Sequence, residues 1–196
     1  MAVLTSAAPT VLPPRLGRWL VAIILSFAAS RDAAAESAAF SEYQLKAVFL
    51  YNFAHFVEWP ASALPDARSP IVIGVLGNDP FGTALDDVVA GEKVNEHPLS
   101  VRRFRRLEDV DGCHVLFVSQ SENERIGEIF ERLKGRSILL VGESEGFATR
   151  GGMVRFLTER NRVRLRINLE AAKAVGLVIS SKLLRPAEIV TTEKRG

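Results

Sequence analysis

The sequence predicts one α/β domain of three layers, in which helices cover both faces of a mostly parallel central sheet that ends in a C-terminal antiparallel hairpin. Short β-branched runs alternate with helical segments up to about residue 150, which is the order typical of a parallel sheet with crossover helices. After that point, two strands follow each other without a helix between them. The 196 residues contain no fixed-period repeat, low-complexity tract or long linker, so a single domain is expected.

The first element of the domain is a helix predicted from Ser41 to Glu58, in the stretch SEYQLKAVFLYNFAHFVE. Ser41 can cap the helix, and Trp59-Pro60 ends it because the residue before a proline avoids helical geometry. Apolar residues recur every three or four positions and extend onto a second side, which predicts a helix covered on more than one face. Its lysine, asparagine, histidine and glutamate argue against a membrane span.

Four strands and two helices follow, with a helix after the first and after the third strand. A strand over residues 70–77 leads to a helix that we expect Asp79 to cap, with Pro80 at its first position. HPLSVRRFRRL and CHVLFVS are the next two strands. A helix follows that Ser121 and Glu124 are expected to open as a capping box. The run RSILLVGE is the fourth strand.

The C-terminal part of the chain changes pattern. The segment GGMVRFLTERNRVRLRINL predicts two antiparallel strands joined at ERN. A last helix is expected to begin near Leu169. It should direct four apolar residues into the core, namely Ala172, Val175, Val178 and Ile179.

The residues before the domain have the pattern of a cleaved signal peptide. Arg15 and Arg18 precede an apolar run of about ten residues. Small residues follow, which allow cleavage after Ser30 or, as we expect, after Ala35. We therefore expect residues 1–35 to be removed and residues 36–196 to form a domain outside the cytoplasm, which in a bacterial cell means the periplasm. An uncleaved N-terminal anchor is the alternative.

Charge and cysteine content exclude several classes of function. Of the 25 basic and 23 acidic side chains, three arginines and one aspartate lie in residues 1–35, which leaves 22 of each sign. A domain without net charge gives no support for nucleic-acid binding. The single cysteine, Cys113, excludes an intrachain disulfide and a zinc site of paired cysteines. Because it lies in an apolar run, we expect a buried thiol, with a link between two chains as the alternative.

The motifs of common catalytic centres are also missing from the sequence. The loop GVLGNDPFG lacks the spacing of a phosphate-binding loop, and no Gly-x-Ser-x-Gly turn occurs. Cys113 and His114 are neighbours in a strand and point to opposite faces, so they cannot easily form a nucleophile–base pair. The three histidines share no metal-ligand spacing. We therefore predict no catalytic residue, no metal and no cofactor, and expect that the protein is not an enzyme.

Two groups of side chains are candidates for binding. In RVRLRIN, Arg162, Arg164 and Arg166 alternate with aliphatic residues, so they share one strand face. This face is either a solvated surface that discourages edge association or a site for an acidic ligand or partner. Asn52 and His55 share one face of the first helix, with Trp59 one turn beyond. These three residues either hydrogen-bond to neighbouring loops or line a pocket for a small ring.

Four separated stretches of the chain, in order, resemble the YfiR family of periplasmic regulators (YfiR/HmsC-like). They are EYQLKAVFLYNFAHFVEWP, PIVIGVLGNDPFG, HVLFVS and GFATRGGMVRFLTERNRVRLRINLEAAKAVGLVISSKLLRPAEIV, and the resemblance covers residues 42–190. It implies an exported, non-enzymatic α/β domain that tends to form a homodimer. It also implies that the protein restrains an inner-membrane diguanylate cyclase through its periplasmic sensor part, and so controls cyclic di-GMP and biofilm formation. The family's namesake has additional cysteines and disulfide control, which the single cysteine of this chain does not allow.

The resemblance suggests where such a partner would bind. We expect the three arginines of RVRLRIN and the adjoining loop SEGFATRGGM, with Glu145 and Phe147, to contact a sensor protein or a small-molecule ligand. The competing hypothesis is a periplasmic small-molecule-binding or accessory module without a cyclase partner, and an enzyme is the third.

Overall fold

The computed structural model describes residues 42–66, 68–160 and 162–193. The predicted signal peptide falls outside these residues. The α-helices in this part of the chain are α1 (42–56), α2 (Ala84–Val89), α3 (Ile126–Arg132), α4 (Leu169–Ala174) and α5 (Ser181–Leu184). Two 3-10 helices cover Leu107–Asp109 and Gln120–Arg125. None of the described helices has the length and apolar character needed to cross a membrane.

The strands form one large sheet and one small ribbon. They are β1 (Val57–Glu58), β2 (Ile71–Leu76), β3 (Lys93–Val94), β4 (His97–Phe104), β5 (Val115–Val118), β6 (Leu139–Gly142), β7 (Val154–Glu159), β8 (Arg162–Asn168), β9 (Val178–Ile179) and β10 (Glu188–Val190). The sheet has the order β10-β8-β7-β6-β5-β2-β4-β3, and β1 pairs with β9. Strands β4, β2, β5, β6 and β7 are parallel, whereas β8 is antiparallel to β7. The predicted mostly parallel sheet with a C-terminal hairpin is therefore confirmed.

Two hydrophobic clusters cover the opposite faces of the sheet, which confirms the three layers. Val115 and Phe117 of β5 belong to the cluster beneath α1, α2, α4 and α5, whereas Leu116 and Val118 belong to the cluster beneath α3. This division follows from the two-residue period of a strand. Every residue of β2, β5 and β6 is buried, which explains why their sequences are continuously apolar.

Two of the predicted helix starts were wrong. The second helix begins at Ala84, and Asp79 instead accepts a hydrogen bond from the Phe81 amide (2.8 Å) in a local turn. The predicted capping box does not form either, because a 3-10 helix precedes α3. The Ser121 hydroxyl accepts from the Asn78 amide, in the turn that follows β2 (3.0 Å). A local turn therefore replaces the first predicted cap, and a contact between separate segments replaces the second.

The first and last helices are shorter than predicted because β1 and β9 pair with each other. The described part of α1 ends at residue 56, and Val57–Glu58 are extended. At the other end of the chain, α4 stops before Gly176, whose φ of 78° is the left-handed conformation of a helix C-terminus. Ile179 is buried as predicted, but Val178 is 57% exposed because it points away from the core.

Cys113 is a buried thiol, as predicted. It lies just before β5 and its Sγ contacts the Val115 carbonyl at 3.1 Å. Burial raises the pKa of Cys113 to about 12. The reactive thiolate is therefore scarce at neutral pH, and this thiol has the character of a small apolar side chain.

Candidate functional site

The β7–β8 hairpin projects beyond the rest of the sheet. On one side, β6 pairs with β7 only as far as the register position Gly142↔Arg155. On the other side, β10 pairs with β8 only from Arg166 to Asn168. Within the described strands, residues 156–159 and 162–165 are therefore paired only with each other.

One side of this hairpin carries a cluster of arginines, which we call the arginine face. In an antiparallel pair, directly opposed residues point to the same side, so the register fixes which side chains share it. The arginine face consists of Arg155, Leu157 and Glu159 from β7 and Arg162, Arg164 and Arg166 from β8. The structure thus places the three arginines singled out in the sequence side by side. It adds Arg155, which lies opposite Arg166.

Exposed ion pairs occupy part of the arginine face. Arg164 lies 3.5 Å from Glu159 and Arg166 lies 2.7 Å from Glu188, and these side chains are 34–61% exposed. Such pairs contribute little to stability, so their arginines can exchange one carboxylate for another. Among the described residues, Arg162 has no carboxylate within ion-pair distance. The excess of guanidinium groups makes this surface suitable for an acidic partner.

Beside the hairpin lies a buried group of charges, the Lys46 cluster, made up of Lys46, Glu42, Glu143, Tyr43 and Thr158. The Lys46 ammonium lies 2.5 Å from Glu143 and 2.6 Å from Glu42. The side chains of Lys46 and Glu143 are only 4% and 5% exposed. Tyr43 donates a hydrogen bond to Glu143 (2.9 Å), and Thr158 donates to Glu42 (2.7 Å). These contacts join the first turn of α1 to the end of β6 and to the hairpin.

Sequence reasoning missed the Lys46 cluster. The four-residue spacing of Glu42 and Lys46 is a signal for an ion pair on a helix surface. Glu143 is 97 residues away from Lys46, however, and no local pattern connects the two.

The surroundings of the Lys46 cluster shift two pKa values. Partial burial acts to raise the pKa of Glu42, but the Lys46 ammonium and the Thr158 hydroxyl outweigh it and hold this pKa below its usual value. Burial, together with the Glu143 carboxylate, raises the pKa of Tyr43. At neutral pH Glu42 is therefore an anion and Tyr43 a neutral donor, which is the combination that the observed hydrogen bonds require.

A groove of about 290 Å³ runs beside the part of β7 that β6 leaves unpaired. It is lined by Glu42, Lys46, Gln120, Glu143 and residues 155–159. The groove lies at the carboxyl ends of β5 and β6, and this is the end at which open α/β sheets bind ligands. In the described part of the chain, no three or more His, Cys, Asp or Glu side chains are arranged to hold a metal ion.

The loop between β6 and β7 contains the two further residues predicted to bind a partner, and only one of them is accessible. Glu145 is exposed beside the hairpin. Phe147 is fully buried and packs edge-on against Phe130 at 5.2 Å. Gly142 and Gly152 make room for its ring, because a Cβ atom at either position would lie within 2.6 Å of it. The ring of Phe147 anchors the loop in the core, so its contact with a partner stays a prediction, and that contact would require the ring to leave this site.

The predicted set Asn52, His55 and Trp59 lies elsewhere. Asn52 and His55 lie in the C-terminal half of α1, and Trp59 comes three residues after its end. Trp59 packs edge-on against His114, just before β5 (5.9 Å). His55 is exposed beside Tyr51, and the buried Nε1 of Trp59 has no hydrogen-bond partner in the described residues. At about 1.5 Å per residue, the two ends of α1 are about 20 Å apart. This set is therefore at the amino ends of the strands and does not join the arginine face in one site.

His114 holds a loop at this amino-terminal end of the sheet. It is 6% exposed; its Nδ1 accepts a hydrogen bond from the Val72 amide and its Nε2 lies 3.1 Å from the Ala63 carbonyl. Both contacts require the neutral ring, with Nε2 carrying the proton. Burial lowers the pKa of His114, and the positive charge that nearby His97 can carry acts in the same direction.

We expect the free energy of unfolding to fall as the pH is lowered from 7.5 to 5.5, because of His114. The pKa of His114 is lower in the folded chain than in the unfolded chain. Its contribution to the free energy of unfolding is therefore complete above the unfolded-chain pKa of about 6.5, and it is lost as the pH falls through the folded-chain pKa. Urea unfolding of His114→Gln should show a weaker pH dependence over this range. The exposed His55 provides the control, because His55→Gln should keep the wild-type slope. Equal slopes for both variants would contradict this assignment.

Comparison with known proteins relates the whole described domain to one family. A family model described as YfiR/HmsC-like matches residues 43–188. No curated protein matches the chain.

Two solved structures match part of the chain at low sequence identity. One is the ABC domain in complex with L-Trp from Streptococcus pneumonia, at 9% identity and a TM-score of 0.45, with 61% of this chain and 55% of that chain covered. Another is a conserved domain protein from Vibrio cholerae O1 biovar El Tor, at 14% identity and a TM-score of 0.46, with 66% and 56% covered. This chain thus spans little more than half of either structure.

Proposed function

We propose that this chain, which belongs to the YfiR/HmsC-like family, is a periplasmic regulatory protein that restrains an inner-membrane diguanylate cyclase. In this proposal it binds the cyclase's periplasmic sensor part, limits cyclic di-GMP and so controls biofilm formation. The family match over residues 43–188 is the observation that carries the proposal. Cleavage of residues 1–35, a single mature domain of residues 36–196, a homodimer and the lack of enzymatic activity belong to the same proposal.

A repressor of this kind needs only to bind one state of its partner more tightly than the other. The arginine face supplies a surface for this, because its guanidinium groups stand on a projecting hairpin and their present ion pairs are exposed. Glu145 lies on the loop beside that surface and is exposed as well. A ligand that favours the free form of the protein would release the partner by the same coupling.

Replacing Arg162, Arg164 and Arg166 together with glutamine is expected to weaken binding of the sensor part about tenfold or more. Each lost charge-assisted hydrogen bond to a carboxylate is worth about 1.5–3 kcal/mol before the partner rearranges. The processed wild-type protein is first used to capture its partner from solubilised membranes, with mass spectrometry of the retained proteins. The dissociation constant of the partner's periplasmic part is then measured for both forms.

A matched control removes the same charge from a second basic stretch of the chain, RRFRR at residues 102–106. Arg102, Arg105 and Arg106 are exposed near the end of β4, and their replacement by glutamine should leave the affinity unchanged. Retention of no sensor protein by the wild type would overturn the proposed function. Equal losses in the two triple variants would instead show that net charge, and not the arginine face, determines binding.

The groove at the carboxyl ends of β5 and β6 favours a second candidate function, a small-molecule-binding or accessory module without a cyclase partner. Its lining combines the Lys46 ammonium and the Arg155 guanidinium with the carboxylates of Glu42, Glu143 and Glu159, so a small polar ligand would find partners of both signs. The gene neighbourhood separates the two functions. An adjacent gene for a membrane cyclase supports the regulator, and one for an outer-membrane receptor or a sensor kinase supports the module.

A further inference from the structure

We propose that the free edge of β7 binds an extended acidic segment of a partner protein as an additional β-strand. The inference starts from the register of the sheet. Strand β6 accompanies β7 only as far as Arg155, whereas β7 continues to Glu159. An unpaired strand edge displays backbone donors and acceptors that can pair with another chain.

The pairing of the hairpin determines which backbone groups point into the groove. The Asn168 amide donates to the Met153 carbonyl (2.8 Å), so the odd-numbered residues of β7 direct their backbone groups towards β8. The backbone groups of Phe156 and Thr158 then point the other way, towards the groove of about 290 Å³ that runs along this edge. Thr158 lies beyond the last residue paired with β6, so its amide and carbonyl have no strand partner among the described residues.

The charges beside this edge indicate the kind of segment that fits. Side chains alternate along an added strand, and every second one would stand on the arginine face. There it would lie next to Arg155 and near Glu159, whose carboxylate already lies 3.5 Å from the guanidinium of Arg164. Arg164 on β8 lies within two strand spacings, about 10 Å, of the added strand. Extended arginine and glutamate side chains together span that distance. A segment with an acidic residue at every second position would therefore pair with the free backbone groups of β7 and bring its carboxylates to the arginine face.

The opposite edge of the hairpin provides an internal comparison. Val163 lies directly opposite Thr158, and its backbone groups point to the other side, beyond the last residue paired with β10. Both positions are thus unpaired on their outer side, but the groove lies only beside Thr158. A change at Val163 alters the hairpin in the same way without touching the proposed docking edge.

The test measures binding of a short synthetic peptide in which glutamate and valine alternate, using the processed protein. We expect the peptide to bind wild type, and Thr158→Pro, which removes the amide proton on the docking edge, to weaken binding about tenfold. Val163→Pro should retain the affinity, because the Val163 amide points away from the docking edge. Equal affinity of Thr158→Pro and wild type would overturn the proposal, as would equal binding of a peptide in which lysine and valine alternate.

A second measurement leaves the protein unchanged, in case a proline variant does not fold. Two versions of the peptide are N-methylated, one at the odd positions and one at the even positions. An added strand pairs along one edge, so one version should lose binding and the other should keep it. Equal behaviour of the two versions would overturn the proposal.

The inference rests on the proposed function only for the identity of the partner. If wild type binds the acidic peptide but captures no sensor protein from membranes, the regulatory function fails and the docking edge stands. If the sensor protein is captured equally by wild type and Thr158→Pro, the function stands and the docking edge fails.

Discussion

Replacing Lys46 with methionine is expected to lower the free energy of unfolding by about 3–5 kcal/mol. Methionine fills nearly the same space, so the loss would come from charge and not from a cavity. Without the ammonium, the Glu143 carboxylate stays at 5% exposure and, among the residues that the structure describes, keeps only the Tyr43 hydroxyl as a side-chain partner. An unpaired buried charge is among the most destabilising changes that a single substitution can make.

Two further variants separate the buried charge from other effects of the substitution. Combining Lys46→Met with Glu143→Gln removes both charges and keeps an acceptor for Tyr43, so it should be less destabilising than Lys46→Met alone. Glu42→Gln changes the more exposed partner of Lys46 and should cost about 1 kcal/mol or less. Urea unfolding of the variants gives the comparison. A loss below about 1 kcal/mol for Lys46→Met would show that the cluster adds nothing to stability.

The size of this effect matters because domains are stable by only about 5–15 kcal/mol in total. The Lys46 cluster is the polar link between the start of α1 and the projecting hairpin, through the Thr158–Glu42 hydrogen bond and the Lys46–Glu143 pair. Farther along α1, Phe49 and Phe53 pack on Phe156 of β7. Loss of the polar link is expected to release the start of α1 from the hairpin. The position of the arginine face relative to the groove would then be less well defined.

The elements predicted well from the sequence are those whose pattern is strictly local. The three central strands are buried on both faces, so each appears as an unbroken apolar run. The hairpin was predicted because period-two alternation in RVRLRIN corresponds to one buried and one solvated face. The helix starts at Asp79 and Ser121 were wrong because each of these side chains bonds to a turn instead. A capping signal in sequence does not specify which backbone amide the side chain will meet.

The candidate site was only partly predictable for the same physical reason. Alternation placed three arginines on one face, but Arg155 joins them only through the register of β7 against β8. The Lys46–Glu143 pair joins residues 97 positions apart, and buried charges find their partners through tertiary packing. Phe147 was placed at the partner surface because its loop, SEGFATRGGM, adjoins the arginine strands in the sequence. The sequence does not show that this loop closes over one buried ring, because Phe130 and Gly142, which surround the ring, lie outside it.

Replacing Phe147 with alanine is expected to lower the free energy of unfolding by about 3–5 kcal/mol, which is the usual cost of emptying a fully buried phenylalanine site. The ring is 0% exposed, packs on Phe130 and lies against the backbone of Gly142 and Gly152. Its own carbonyl accepts the Gly152 amide at 2.9 Å, which closes the loop around it. Neighbouring backbone on both sides limits how far the loop can collapse, so a cavity should remain.

The same variant decides between a core residue and a contact residue at position 147. A core role predicts a large loss of unfolding free energy, measured with urea, together with near wild-type affinity for the sensor part when the variant is folded. A contact role predicts little loss of unfolding free energy and a large loss of affinity. Glu145→Ala in the same loop is the control, because an exposed side chain should change stability by no more than about 0.5 kcal/mol. If Phe147→Ala binds poorly but unfolds like wild type, the ring leaves its glycine-lined site to meet the partner, and the packing of this loop would need revision.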